Sequence, residues 1–569
     1  MQTVRHTWAA AVVLGTALLL GGCNKTVVVE TNNGPIKGVD LGDANVFRGV
    51  PYASPPLGEL RWRAPTPLPA WQDTLDTTVF GPACWQDNSA GNSIFLSNML
   101  SGSGMPAYGQ WLITQFSGFA ETTMSEDCLT LNITRPTGPK ISDQLLPVMF
   151  WIHGGGHQYG SGGGIYESPG LANQGVVLVS INYRLGLYGF LAHPELANED
   201  PNGSTGNYGT LDQIAALQWV QDNIERFGGD PGNVTIFGES AGGHSVGQLM
   251  ASPLTQGLFH RAIAQSGSGF QQFQTTDQSL ETISGFEAGR RLADMMGVSG
   301  DQEIESLRQL DTDGLRSAAV SPELNATFHP QVDGYVLPEP TALTFAKGNQ
   351  ADIPLMVGSN ADEGSLLYYF GLSPVDGGPF VQPSDMGSWQ QLLQTNFLDQ
   401  AQNVALQYPV DDDGDVVVNA STMMGDTWFG RHAYYMAERQ HAAGAPAYLY
   451  FFERTPPSAE QTIGAGHAQE LFPLFQSWLP FWPKNQRDDE LEQEMQRYWT
   501  TFARSGNPNG DELPQWPKFD PLKAEEMAFA NERSYAREVQ RKARYDAMRD
   551  QQTRRESTAR SAFEAPAPE

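Results

Sequence analysis

The chain has 569 residues, 40% hydrophobic and 10% aromatic, with 60 Gly and 38 Pro. This excludes a disordered or fibrous protein and implies a large core threaded by many turns. Its 34 Lys and Arg face 64 Asp and Glu, a formal charge of -30, which repels phosphate backbones, so nucleic acid is not an expected partner.

Residues 1–23 read as a leader. Arg5 and His6 precede an apolar run from Trp8 to Leu20, too short to cross a bilayer. The run ends in Leu20-Gly21-Gly22-Cys23, which resembles a bacterial lipobox, so Cys23 is expected to become an acylated N-terminus that anchors the protein to a membrane. Asn24 in place of Asp after that cysteine points to the outer membrane of a Gram-negative cell, with the protein in the periplasm or at the cell surface. Setting Cys23 aside leaves Cys84 and Cys128, an even number in an oxidising compartment. A bridge between them would close a loop of about 43 residues, worth roughly 4 kcal/mol on the chain-entropy account.

Residues 90–123 are rich in Gly, Ser, Met and aromatics without clean periodicity and suggest a lid-like excursion between the two cysteines, residues 85–127. Buried strands are expected over 146–152 and 175–182, a helix over 212–227 closed by Gly228-Gly229-Asp230-Pro231, and a further strand over 234–237. Continuous apolar strands between helices imply a mostly parallel sheet covered on both faces. Without an internal repeat or a Ser/Gly linker, residues 24–530 read as one domain. From 531 to 569 the chain is rich in Arg, Glu, Gln and Ala and reads as a charged tail, a frayed helix followed by disorder. The acidic run Asp411-Asp412-Asp413-Gly414-Asp415 lacks the spacing of a calcium loop and reads as a solvated turn.

Gly238-Glu239-Ser240-Ala241-Gly242 matches the G-x-S-x-G nucleophile elbow, with a strand before it and a helix after it. A serine on such a strained turn stands clear of the sheet edge, and the next amide, Ala241, points to a developing oxyanion at a helix N-terminus. His153-Gly154-Gly155-Gly156 follows an earlier strand, and glycines there let backbone amides converge on a carbonyl oxygen.

With Phe47-Arg48-Gly49-Val50-Pro51-Tyr52-Ala53, Glu126-Asp127-Cys128-Leu129-Thr130-Leu131-Asn132, Asn182-Tyr183-Arg184 and Phe227-Gly228-Gly229-Asp230-Pro231, the chain resembles the type-B carboxylesterase/cholinesterase family over about Gly34–Pro521. The resemblance implies an α/β-hydrolase fold: a central, mostly parallel twisted sheet flanked by helices, with long loops forming an active-site gorge. It implies a serine carboxylesterase acting on small-molecule esters without metal or cofactor. Its triad would be Ser240, Glu363 in Asp362-Glu363-Gly364, and His467 after Gly464-Ala465-Gly466, in the chain order of such enzymes. The oxyanion hole would comprise the amides of Gly155, Gly156 and Ala241. The family pattern also pairs Cys84 with Cys128 and Arg48 with Glu126, and leaves Glu239 either tuning the electrostatics beside Ser240 or serving as a buried hydrogen-bonding residue.

Departures from the family bear on the pocket. His157 stands where an aromatic is usual and Leu366 where cholinesterases carry one; Ala468 replaces a frequent Gly. Leu324-Asn325-Ala326 occupies the acyl-pocket segment and is expected to leave room for an acyl group larger than acetyl. Near Gly118 no Trp stands in the choline-binding position, so cation–π recognition of choline is not supported by position. The alternatives are a lipase of long-chain esters with 85–127 as its lid, a cholinesterase-like enzyme, and a silent binding module. The sequence sets no oligomeric state.

Overall fold

The structure is a computed structural model and describes residues 25–86, 91–116, 123–137, 144–271, 273–280, 282–319, 321, 324, 327–378 and 381–563. Cys23 and Ala326 lie outside them. Twelve strands form the path of one sheet: β1 (Thr26–Glu30), β2 (Pro35–Asp40), β3 (Ala44–Pro51), β4 (Thr130–Pro136), β5 (Leu146–Ile152), β6 (Val177–Ile181), β7 (Gly229–Glu239), β8 (Arg261–Gln265), β9 (Leu355–Asn360), β10 (Ala447–Phe452), β11 (Glu525–Phe529) and β12 (Ser534–Glu538). Their order is β1-β2-β3-β4-β6-β5-β7-β8-β9-β10-β11-β12, with Leu75–Asp76 paired to β2 off that path. From β6 to β11 every pairing is parallel, and both flanks are antiparallel. This is the mostly parallel sheet that the apolar runs imply, and the α/β-hydrolase architecture that the family resemblance implies. Val148, Phe150, Ile152, Val234 and Ile236 face one core and Met149, Trp151 and Phe237 the other, the alternation of strands buried on both sides.

The helices that matter for the site are α1 (Gly91–Gly102), α2 (Ala107–Phe116), α3 (Tyr208–Asn223), α4 (Ala241–Ala251), α5 (Asp413–Gly425), α6 (Arg431–Ala442) and α7 (Arg549–Phe563). A π turn, Asp426–Gly430, joins α5 to α6. The excursion after Cys84 thus holds two helices, which pack through Met99, Leu100 and Ile113, with Met105 from the turn between them, onto Leu366, Ile463 and Phe472. Cys84 and Cys128 form a disulfide across its base. The acidic run is a helix start: Asp412 caps α5 in a reciprocal box with Asp415.

Two expectations are corrected. Arg48 does not pair with Glu126: its guanidinium lies against Glu167 (Nε–Oε2 2.6 Å, Nη2–Oε1 2.8 Å) and also donates to Thr78 O. Glu126 instead receives Arg61 (2.8 and 2.6 Å), which sits over the Trp62 ring. Arg48 is already satisfied by the Glu167 carboxylate and Thr78 O, and Glu126 by Arg61 and Thr312 Oγ1, so neither is left to pair with the other. The charged C-terminal segment is no solvated tail either. β12 closes the sheet edge, and α7 buries Gln551, Gln552, Arg555 and Ala559. Its arginines are matched by remote buried carboxylates, Asp376 by Arg555 and Asp426 by Arg541 and Arg544, so charge there marks packing.

Candidate active site

β7 ends at Glu239, and the chain turns at Ser240 into α4. Ser240 has φ 56°, a left-handed conformation costly for a residue with a side chain. The turn is held because Ser240 N–H donates to Gln265 O at 2.9 Å on the neighbouring β8. A Cβ on Gly242 would lie 2.0 Å from Ile152 O, so only glycine lets α4 cross β5 this closely. The Ala241 amide opens α4 and therefore has no acceptor within the helix.

The glycine loop after β5 wraps the same end. A Cβ on Gly154 would meet Glu239 O at 2.8 Å and Ser240 Cβ at 3.1 Å, so the loop rests directly on the serine. Gly155 and Gly156 have φ of 99° and 63°, which turns their amides away from the strand direction. His157 follows in a left-handed conformation (φ 57°). It is buried, its Nε2 shares a 3.0 Å hydrogen bond with Ser245 Oγ on α4, and Gln213 of α3 donates to the same oxygen at 3.0 Å. His157 thus ties the glycine loop to the helix that carries Ser240. Burial holds its imidazole well below the usual range, so it is neutral.

Glu363 and His467 come from loops after β9 and β10. His467 Nδ1–H donates to Glu363 Oε2 at 2.5 Å. Glu363 is fully buried, and its Oε1 accepts from Ser266 Oγ at 2.6 Å and Asn360 N–H at 2.7 Å. Asn360 Nδ2 bridges onward to Gly466 O (2.9 Å) and Glu470 Oε2 (2.7 Å). Ser266 has φ 46° and Ala468 φ 66°, left-handed conformations that are costly for residues with a side chain. Four strained non-glycine residues, His157, Ser240, Ser266 and Ala468, therefore surround one site, a concentration typical of functional centres.

His467 Nε2 lies 3.0 Å from Glu239 Oε1. Burial alone would push the His467 imidazole down, but Glu239, Glu363 and Glu470 outweigh it and raise it to about 9. Burial pushes the Glu239 carboxyl up to about 8, against the pull of His467. Of the two sequence alternatives for Glu239, the contact with His467 favours the electrostatic one. Phe429, from the π turn, lies on the His467 ring (4.9 Å between centroids), and Phe95 of α1 meets it edge-on at 6.4 Å.

The expected pocket residues separate. Leu366 is fully buried where the α1–α2 cover meets Ile463 and Phe472. Leu324 is fully buried in the main core. Sequence reasoning missed Ser266, Asn360 and Glu470; the small-residue run Ser266-Gly267-Ser268-Gly269 directly after β8 was the available signal.

The family model described as the carboxylesterase family matches residues 25–549. The fumonisin B1 esterase of Sphingopyxis macrogoltabida is 34% identical over 523 residues, covering 89% of this chain and 87% of that protein. Liver carboxylesterase 1 of Oryctolagus cuniculus is 36% identical over 502 residues, 84% of each chain. Among solved structures, a PNB esterase superposes with a TM-score of 0.73 at 31% identity, covering 92% of this chain and 99% of that one.

Proposed function

From the premise that the chain belongs to the carboxylesterase family and is a carboxylic ester hydrolase, we propose that Ser240 is its nucleophile, with His467 as base and Glu363 as the carboxylate that orients it. The observation that carries this is the fixed Glu363–His467 pair, with His467 Nε2 lying 3.0 Å from Oε1 of Glu239, the residue directly before a serine held on a strained strand-to-helix turn. Ser240 Oγ attacks the ester carbonyl as His467 Nε2 takes its proton. The amides of Gly155, Gly156 and Ala241 receive the oxyanion. The alcohol leaves with that proton, and water, activated by His467, releases the acid from the acyl-enzyme. Glu363 keeps the proton on Nδ1 throughout, which presents Nε2 as the basic nitrogen.

An acyl group larger than acetyl is a reading that rests on the sequence of Leu324-Asn325-Ala326 alone, since Leu324 itself is buried in the main core. The protein is exported and acylated at Cys23, supported by the lipobox pattern; among the described residues no helix is long and apolar enough to cross a membrane. Hydrolysis of p-nitrophenyl esters from acetyl to decanoyl tests the enzymatic reading, comparing wild type with Ser240→Ala. Turnover is expected to peak beyond acetyl and to vanish in the variant; undiminished turnover in folded Ser240→Ala would remove the serine from the mechanism. For the anchor, labelled palmitate is expected to be incorporated by wild type and not by Cys23→Ala.

A further inference from the structure

Charge is distributed unevenly around the site. In a chain where 17% of residues are charged and the sum is -30, no charged residue occurs from Asn88 to Ala120, nor from Leu471 to Pro483. These two segments are remote in sequence and meet in space. Met99, Leu100, Met105 and Ile113 pack with Phe472, Leu479 and Trp482, and Tyr108 meets Phe481 edge-on at 5.2 Å. Together they form the cover whose inner residue, Phe95, touches His467.

The outer side of this cover is apolar. Tyr108 and Trp111, one helical turn apart on α2, are 60% and 58% exposed, Phe481 is 46% exposed and Ile94 of α1 43%. Phe481 also stands at φ 65°, where a bulky side chain is an outlier and Asn or Asp is far better tolerated. A residue that is both strained and half in water gains little for the isolated fold. Exposed aromatics grouped on one face mark a contact surface, and a charge-free face on a strongly anionic molecule suits an uncharged partner.

We propose that the outer face of α1–α2 with Phe481 is a docking surface for an aggregated, water-insoluble acyl-ester phase, whose molecules then enter the site beneath. The uncharged ester surface is the occupant that these two uncharged segments match, while the -30 of the remaining molecule keeps other faces in water. This rests on the ester-hydrolase reading of Ser240 and deepens it by naming the physical state of the substrate.

The test measures turnover of tributyrin across its solubility limit, beside kcat/KM on soluble p-nitrophenyl butyrate. It uses the full chain carrying Cys23→Ser so that no acyl anchor contributes. The rate on tributyrin is expected to climb beyond the soluble-substrate saturation curve once droplets form. Trp111→Asp with Phe481→Asn is expected to lose at least tenfold of the droplet rate and to keep soluble turnover within twofold. Phe481→Asn alone is expected to melt at or above the wild-type temperature while lowering the droplet rate, which separates docking from folding. Simple saturation through the solubility limit, or a double variant with the wild-type droplet rate, overturns the proposal. Absence of soluble turnover in wild type overturns the Ser240 reading itself, and the docking surface with it.

Discussion

Glu239→Gln tests the electrostatics of the site most directly, because it replaces the carboxyl 3.0 Å from His467 Nε2, which carries its charge above about pH 8, by a neutral amide of almost the same shape. Only the neutral imidazole can accept the Ser240 proton, so kcat/KM rises with pH through the midpoint of His467. Glu239 and Glu363 hold that midpoint up, to about 9; removing a carboxylate must therefore move the acid limb to lower pH. At ~3 Å and an effective dielectric of ~20, Coulomb's law gives roughly 5.5 kcal/mol for the pair, an upper figure. A third of it, about 1.8 kcal/mol, moves the midpoint by about 1.3 pH units. Glu239 and His467 titrate as a pair, so the wild-type limb belongs to both groups, and the variant should show a simpler, single limb. The assay is kcat/KM on p-nitrophenyl butyrate from about pH 5 to 10, with circular dichroism to establish folding. A limb that moves by less than about 0.3 pH units in the folded variant would refute the coupling.

Four further outcomes follow from the geometry. Cys84→Ser with Cys128→Ser is expected to lower unfolding free energy by roughly 4 kcal/mol in urea titrations, and a loss under about 1 kcal/mol would mean that packing of the cover holds the loop. Ser266→Ala removes the 2.6 Å bond to buried Glu363; it should cost ~1.5–3 kcal/mol of stability and lower kcat at least tenfold with KM nearly unchanged. His157→Phe keeps an aromatic ring but breaks the tie to Ser245; kcat should fall about tenfold, measured under saturating soluble ester. Asp426→Ala leaves Arg541 and Arg544 without their shared carboxylate and should cost ~3–5 kcal/mol, read from the thermal unfolding midpoint.

What the sequence reveals is what local chemistry encodes. The apolar runs at 146–152, 175–182 and 234–237 are buried on both faces, so they read as parallel strands and the structure has them as β5, β6 and β7. The Gly-Glu-Ser-Ala-Gly turn is legible because its first glycine answers to a collision inside the turn, that of Gly238 with Gly242 O. Glu363 and His467 carry no such local mark; only the family pattern selects them among 64 acidic residues and 10 histidines. Ser266 and Asn360 act through partners in the loops after β9 and β10 and have no periodicity to announce them. Helix α1 is obscured by its Gly and Ser content, and the α1–α2 pair is held by burying Met99, Leu100 and Ile113 against Phe472 and Ile463.

The C-terminal segment shows why composition misleads there. A run of arginines and glutamates reads as solvated because its partners are more than a hundred residues away. Arg541 joins Asp426 (2.8 Å) to Ala361 O (2.7 Å), the residue that precedes the Asp362-Glu363 turn. Asp426 begins the π turn that ends by laying Phe429 on His467, and Arg544 and Tyr408 complete its shell at 3.1 and 2.7 Å. The same few side chains thus fix the backbone before the triad carboxylate and the ring against the triad histidine. A π turn has poorer hydrogen bonding than a regular helix and persists where surrounding contacts hold it. The last strand and helices are therefore part of what keeps Glu363 and His467 in register, and damage to them should appear in kcat before it appears in the fold.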